Sequence, residues 1–96
     1  MRRVVAAAIG FASIAAAVLA SAEPPAGAVA CSGCHPASAR VASPVPRLAG
    51  LDRAAIVRAM QDFRSGTRAA TVMDRIAKGF TDAEIQAIAA WYATQR

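Results

Sequence analysis

The stretch Cys31-Ser32-Gly33-Cys34-His35 decides how this chain folds, because it specifies what the rest of the sequence has to pack around. The pattern C-x-x-C-H is the attachment signature of a c-type haem. The two thiols add across the vinyl groups of the porphyrin, and the histidine that follows them becomes the proximal ligand of the iron. We therefore predict that Cys31 and Cys34 bind one haem c covalently and that His35 is an axial ligand.

Other roles of a C-x-x-C pair fit the sequence less well. A thioredoxin-like redox pair requires a βαβ context, and no strand-like run surrounds the motif. A closed structural zinc site requires four ligands, whereas the chain contains two cysteines and one histidine. A disulfide across so short a loop would constrain the unfolded chain very little. The motif uses both cysteines and the only histidine, so none is left for a second site of this kind.

The first 22 residues have the pattern of an export signal. Arg2 and Arg3 form a positive n-region, residues 4–19 are uncharged and apolar, and residues 20–22 (ASA) fit the small-x-small cleavage rule. The alternative is an uncleaved membrane anchor, because the apolar run approaches the length that spans a bilayer. The weak hydrophobicity of alanine and the two prolines that follow favour cleavage. We expect a signal peptide over residues 1–22 and a periplasmic location.

The mature chain is predicted to be one monohaem domain over residues 23–96, with no membrane span after cleavage. The full chain has a formal net charge of +5, and removal of two arginines with the signal leaves +3. The remaining basic residues are scattered singly rather than clustered, which argues against a nucleic-acid partner. A domain of this size buries a modest core, and a covalent haem would supply much of what is missing. We therefore expect the haem-free protein to be poorly folded.

The middle of the mature sequence has helical periodicity. A short helix is predicted over residues 28–32, where it carries the first cysteine, and residues 36–46 form a loop with three prolines. Asp52 is the predicted N-cap of a helix that extends through Arg64, and Gly66 is its predicted C-cap. The apolar stripe of this helix consists of Ile56, Met60 and Phe63.

The last helix is predicted to begin at residues 81–84 (TDAE) and to run to about Thr94. Thr81 at the N-cap and Glu84 three residues later form a capping box. A shorter helix that stops at Gly79 precedes it. No run of residues alternates with the period of a strand, so the predicted fold is all-α, with three to five helices around one haem. The predicted buried face of the last helix consists of Ile85, Ile88, Ala89 and Tyr92, with Trp91 at its edge.

The sixth coordination position of the iron decides whether a haem binds small molecules or transfers electrons. No second histidine exists, and a methionine thioether is the other donor that favours low-spin iron and raises the potential. Met60 lies in an apolar stripe, where a methionine ordinarily fills the core. Met73 follows a helix break 38 residues after His35 and is preceded by small residues. The spacing favours Met73 over Met60.

The motif, residues 46–50 (PRLAG) and the late methionine together resemble a class I c-type cytochrome. That family folds as a small helical bundle around a haem with His/Met ligation. The resemblance implies that the carbonyl of Pro46 accepts a hydrogen bond from Nδ1 of His35 and that Leu48 lines the haem pocket. It also implies that the first helix packs across the last one.

A narrower resemblance covers nearly the whole mature chain. Residues 62–66 (DFRSG) and 71–80 (TVMDRIAKGF) are similar to the cytochrome subunit of flavocytochrome c sulfide dehydrogenase. The methionine of the second string is an axial ligand in that family, which implies the same role for Met73. The flavoprotein partner there oxidises sulfide at an FAD and passes electrons to the haem. Pro36 departs from the glycine that is common after the histidine.

The resemblance implies an exported electron-transfer subunit that accepts electrons from an FAD-containing flavoprotein and passes them to a downstream acceptor. The chain would perform no substrate chemistry of its own. One alternative is a free-standing periplasmic carrier, and another is a haem sensor or ligand-binding domain with an open sixth position. The basic residues that could frame an exposed haem edge are Arg47, Arg64, Arg68 and Lys78.

Overall fold

The computed structural model describes residues 23–38 and 40–96. The predicted signal peptide over residues 1–22 and its cleavage site lie outside the described residues and stay predictions. Within the described residues the chain forms four α-helices and no strand. The predicted all-α fold with three to five helices is therefore confirmed. The helices are α1 (Ala28–Cys31), α2 (Arg53–Ser65), α3 (Met73–Ala77) and α4 (Asp82–Thr94).

None of these four described helices is long and apolar enough to cross a membrane.

The ends of α2 are specified by its own sequence. The Oδ2 atom of Asp52 accepts a hydrogen bond from the backbone N–H of Ala55 at 3.1 Å, which satisfies a donor that the first turn leaves open. At the other end Gly66 has a φ of 81°, a left-handed conformation that L-residues with a Cβ adopt only at a cost. Both predicted caps are present, and the helix extends one residue beyond the predicted end at Arg64.

The start of α4 is a complete capping box, as predicted. The backbone N–H of Glu84 donates to Oγ1 of Thr81 at 3.2 Å, and the backbone N–H of Thr81 donates to Oε1 of Glu84 at 3.0 Å. The bond from the backbone of Thr81, followed by its side-chain contact, lowers the pKa of Glu84, because it favours the ionised carboxylate. This end of α4 thus forms from four consecutive residues alone.

The hydrophobic core lies where α4 meets α1 and α2. The predicted buried face of α4 is confirmed, and Tyr92 and Ile85 are its largest fully buried side chains. Val57 of α2 is buried as well, although the predicted stripe did not include it. The helix α2 packs on both α3 and α4, so it is the element that connects the two halves of the domain. The buried cluster consists of Ala28, Ile56, Val57, Ile85, Ile88, Ala89 and Tyr92.

The first helix packs against the last one, as the resemblance implies, although α1 has only four residues. Gly27 precedes α1 with a φ of 87°, and a Cβ at this position would lie 2.6 Å from Cε1 of Phe80 and 3.3 Å from Cδ1 of Ile88. The hydroxyl of the buried Tyr92 donates to the carbonyl of Ala28 at 2.6 Å. Close packing at Gly27 and the buried hydrogen bond to Ala28 therefore hold this short helix in place.

Candidate haem-binding site

The thiol pair lies at the end of α1. After Cys31 the backbone turns back on itself, so that the N–H groups of Cys34 and His35 both donate to the carbonyl of Cys31, at 3.1 and 2.8 Å. Cys31 is half-buried, Cys34 is exposed, and both are free thiols. Burial raises the pKa of the Cys31 thiol, because the thiolate is poorly solvated there. This tight turn presents two thiols and an imidazole from five consecutive residues.

The imidazole of His35 has a defined orientation. Its Nδ1 atom lies 2.5 Å from the backbone carbonyl of Pro46. A carbonyl can only accept, so Nδ1 carries the proton and Nε2 keeps its lone pair for a metal ion. Such a hydrogen bond also makes the ligating nitrogen more basic. The structure thus makes the contact that the resemblance implies for Pro46, while the ligation of iron by His35 stays a prediction.

The loop that supplies this carbonyl is anchored to the core. Leu48 is half-buried and packs against the buried cluster, and its carbonyl accepts from the N–H of Leu51 at 3.1 Å. The N–H of Gly50 donates to the carbonyl of Tyr92 in α4 at 3.0 Å. One of these hydrogen bonds closes the loop on itself and the other attaches it to α4. The position of Pro46 therefore depends on α4 as well as on the loop. The structure places Leu48 in contact with the core, and its contact with haem stays a prediction.

The two methionines of the described residues have different surroundings. Met60 packs against the buried cluster from α2, in agreement with a role as a core residue. Met73 is half-buried and is the first residue of α3. Its helix is short and has no side-chain cap, and its last residue, Ala77, is fully buried. The structure therefore separates the two by packing, and the assignment of Met73 as an axial ligand stays a prediction.

The residues at this site fit a c-type haem. Two free thiols and an imidazole with an available Nε2 are the donor set that the group requires. Large apolar side chains are also exposed on the helices that carry Cys31 and Met73, namely Val29 on α1 and Ile76 on α3. Across the described part of the chain, no three His, Cys, Asp or Glu side chains form a cluster that could hold a metal ion.

The four basic residues proposed for a rim are not equivalent in the structure. Lys78 is exposed, and Arg68 stacks over the ring of Phe63 with its guanidinium carbon 4.9 Å from the centroid. The guanidinium of Arg64 contacts two partners inside the molecule, which are described below. Nothing in the local sequence of α2 indicates these contacts, since they join residues far apart along the chain.

Comparison with known proteins shows that the chain is similar to cytochromes. No protein-family model matches the chain. It is 39% identical over 64 residues to the cytochrome subunit of sulfide dehydrogenase of Chlorobaculum tepidum, an alignment that covers 67% of this chain and 58% of that protein. It is 43% identical over 65 residues to the thiosulfate dehydrogenase electron acceptor of Stutzerimonas stutzeri, covering 66% of this chain and 30% of that protein.

A third relative is cytochrome c-552 of Acidithiobacillus ferridurans, which is 38% identical over 65 residues, covering 68% of this chain and 28% of that protein. The alignments thus span between 28% and 58% of the relatives' lengths.

Proposed function

This chain is a class I c-type cytochrome, and we propose that it is an exported electron carrier that accepts electrons from a dehydrogenase and passes them to a downstream acceptor. The observation that carries this proposal is the contact between the carbonyl of Pro46 and Nδ1 of His35, the histidine of the C-x-x-C-H motif. This contact leaves Nε2 of His35 available to bind iron, close in sequence to two free thiols. Two of the relatives are named for sulfide and thiosulfate dehydrogenases, which supports a dehydrogenase as the donor.

Each site residue has a separate role in this proposal. Cys31 and Cys34 would hold the haem covalently, and Nε2 of His35 and the sulfur of Met73 would be the two axial ligands. The bound group supplies a one-electron iron couple. The carbonyl of Pro46 retains the proton on Nδ1 and orients the ring, and Leu48 helps to exclude water from one side of the pocket. With His35 and Met73 both bound to the iron, the chain would perform no substrate chemistry of its own.

The proposed donor is an FAD-containing flavoprotein of the sulfide dehydrogenase type. The similarity to a sulfide dehydrogenase subunit supports this choice, together with the strings at residues 62–66 and 71–80. The proposal includes a signal peptide over residues 1–22, a monohaem domain over residues 23–96 and a periplasmic location. A free-standing periplasmic carrier is the second candidate, because one relative is named simply as a cytochrome c.

Purification from the native host under mild conditions tests the proposal. We expect haem and flavin absorbance in one eluting species, and we expect sulfide to reduce the haem of that species. Haem absorbance alone, in a species of monomer size that reduces slowly with sulfide, would favour the free carrier. A purified chain without covalent haem would contradict both candidates.

A further inference from the structure

Arg64 connects α2 to the junction between α3 and α4. Its Nη2 atom donates to the carbonyl of Phe80 at 2.7 Å, and its Nη1 atom forms an ion pair with Oδ1 of Asp82 at 2.6 Å. The side chain is 31% exposed, and its Nε atom is buried with no hydrogen-bond partner in the described part of the chain. The planar fork of a guanidinium suits two acceptors at once. Arg64 is therefore a structural link between elements rather than a solvated charge.

The bond to Phe80 is the stronger half of this link. The side chain of Asp82 is 77% exposed, and ion pairs at such sites contribute little to stability. The contact with the carbonyl of Phe80 is partly buried, and a charged donor makes a stronger bond than a neutral one. Loss of the guanidinium would also leave that carbonyl without this donor. We therefore expect the carbonyl contact to carry most of the effect of Arg64.

Phe80 in turn contacts both sides of the proposed haem site. Its N–H donates to the carbonyl of Ala77, the last residue of the helix that begins with Met73. Its ring lies against Gly27, the residue before the helix that ends with Cys31. Since α3 has five residues and no side-chain cap, its position depends on what holds its ends. We therefore expect a displacement of Phe80 to shift α3 before it shifts the longer helices.

We propose that Arg64 is a positioning residue for Met73: by holding the carbonyl of Phe80 it keeps α3 in the place from which the thioether reaches the iron. This inference rests on the proposed ligation by Met73. Without Arg64, the protein spends more time in a form in which α3 has moved and the sixth coordination position is open. An external ligand binds that form, and its apparent dissociation constant is inversely proportional to the open fraction.

Titration of the ferric holoprotein with imidazole measures the open fraction directly. The nitrogen of imidazole replaces the sulfur of Met73 on the iron, with no change in oxidation state. For Arg64→Leu we expect apparent imidazole binding to tighten about tenfold, the effect of one charged hydrogen bond. For Arg64→Lys, which keeps the charge but not the fork, we expect a smaller change. Asp82→Asn should change the affinity less than about threefold, because that pair is exposed.

The matched control is Arg53→Leu. Arg53 belongs to the same helix and carries the same charge, and its guanidinium donates to Oε1 of Gln86 in α4 at 2.9 Å. It thus also links α2 to α4, but through an exposed side chain rather than through Phe80. We expect wild-type imidazole affinity in this variant. Far-UV circular dichroism of each holoprotein establishes that the fold is retained, and Arg64→Lys serves if Arg64→Leu does not fold.

The outcomes separate this inference from the proposed ligation. A wild-type protein without a sulfur-to-iron charge-transfer band would overturn the ligation by Met73 and this inference with it. A wild-type protein with the band, together with Arg64 variants of unchanged imidazole affinity, would overturn only the role of Arg64. An equal change in Arg53→Leu would do the same, because it would show a general effect of charge or of the α2–α4 contact.

Discussion

At the scale of single residues, the two methionines of the described residues, Met60 and Met73, differ in what surrounds each side chain. Met60 packs against the buried cluster, whereas Met73 is the first residue of a short, uncapped helix. A thioether in the core stabilises the fold through packing, whereas a thioether bound to iron changes the reduction potential and the absorption spectrum of the haem. Replacement of each by alanine therefore affects different observables.

We predict that Met73→Ala abolishes the sulfur-to-ferric-iron charge-transfer band and lowers the reduction potential, because the iron loses its soft ligand. Met60→Ala should keep the band and lower the free energy of unfolding by about 2 kcal/mol, near the lower limit for a methionine that is only half-buried. The absorption spectrum, a redox titration and thermal unfolding measure these effects. An unchanged spectrum in Met73→Ala would contradict its assignment as the iron ligand. Loss of the band in Met60→Ala would indicate that Met60 is the ligand instead.

At the scale of elements, the short helix α1 depends on Gly27. Gly27 and Gly66 both have a left-handed backbone, with φ of 87° and 81°. A Cβ at Gly27 would meet the ring of Phe80 at 2.6 Å, whereas a Cβ at Gly66 would have no atom within 4 Å. The two positions thus share the backbone strain and differ in the clash, so they form a matched pair.

We predict that Gly66→Ala lowers the free energy of unfolding by about 1 kcal/mol, the cost of a left-handed residue with a Cβ. Gly27→Ala should lower the free energy of unfolding by about 1–3 kcal/mol more than Gly66→Ala, because the ring of Phe80 has to move to make room for the Cβ. Denaturant unfolding of the two holoproteins measures the difference. Equal losses would contradict the close contact between α1 and Phe80.

The capping box of α4 makes stability depend on pH. The pKa of Glu84 is lowered from its ordinary value of 4.5 by the bond from the backbone of Thr81 and by the Thr81 side chain. A carboxyl whose pKa is lower in the folded state stabilises the fold above the unfolded pKa, and this contribution is lost as the pH falls through the folded pKa.

We predict that the melting temperature of the wild-type protein falls more steeply below about pH 4.5 than that of Glu84→Gln, which cannot titrate. Above that pH the wild-type protein should be the more stable of the two, because the ionised carboxylate is the better acceptor and suits the helix N-terminus. Thermal melts across the acidic range measure both effects. If the melting temperatures of the two proteins depended on pH in the same way, this role of the capping box would be contradicted.

At the scale of the whole molecule, we expect the core of the described part to be too small to hold the fold without haem. It contains nine buried hydrophobic residues, and four of them are alanines. Each alanine buries little apolar area, and free energy from burial scales with that area. A covalently attached haem would add a large apolar plate to which the half-buried Leu48 and Met73 could pack.

We predict that the double variant Cys31→Ser and Cys34→Ser, which cannot attach haem, has no cooperative thermal transition. The fold would lose both the apolar plate and the covalent link that holds α1. Far-UV circular dichroism during heating measures this. The control is Met73→Ala, which keeps both thioether bonds and should still unfold cooperatively. A cooperative transition in the double variant would contradict the dependence of the fold on haem.

Local sequence was sufficient for the helices and for the donor set. The caps at Asp52, Gly66 and Thr81 involve atoms within a few residues of each other, so their bonds form wherever the rest of the chain lies. The motif is equally local, because two thiols and an imidazole come from five consecutive residues. The caps, the four helices and the cytochrome family are confirmed. The contact between His35 and Pro46 came from the resemblance rather than from the local pattern.

Contacts between distant residues were decided only by the tertiary structure. The local pattern of α2 does not indicate the contact of Arg64 with Phe80, because Phe80 lies 16 residues further along the chain. Tyr92 donates to a carbonyl 64 residues away, and only the folded chain brings the ring of Phe80 to the place where a Cβ at Gly27 would clash with it. A side chain's own neighbours in sequence determine its helix and its chemistry. Which backbone atom it reaches depends on how the helices pack, since that is the result of burying all apolar faces at once.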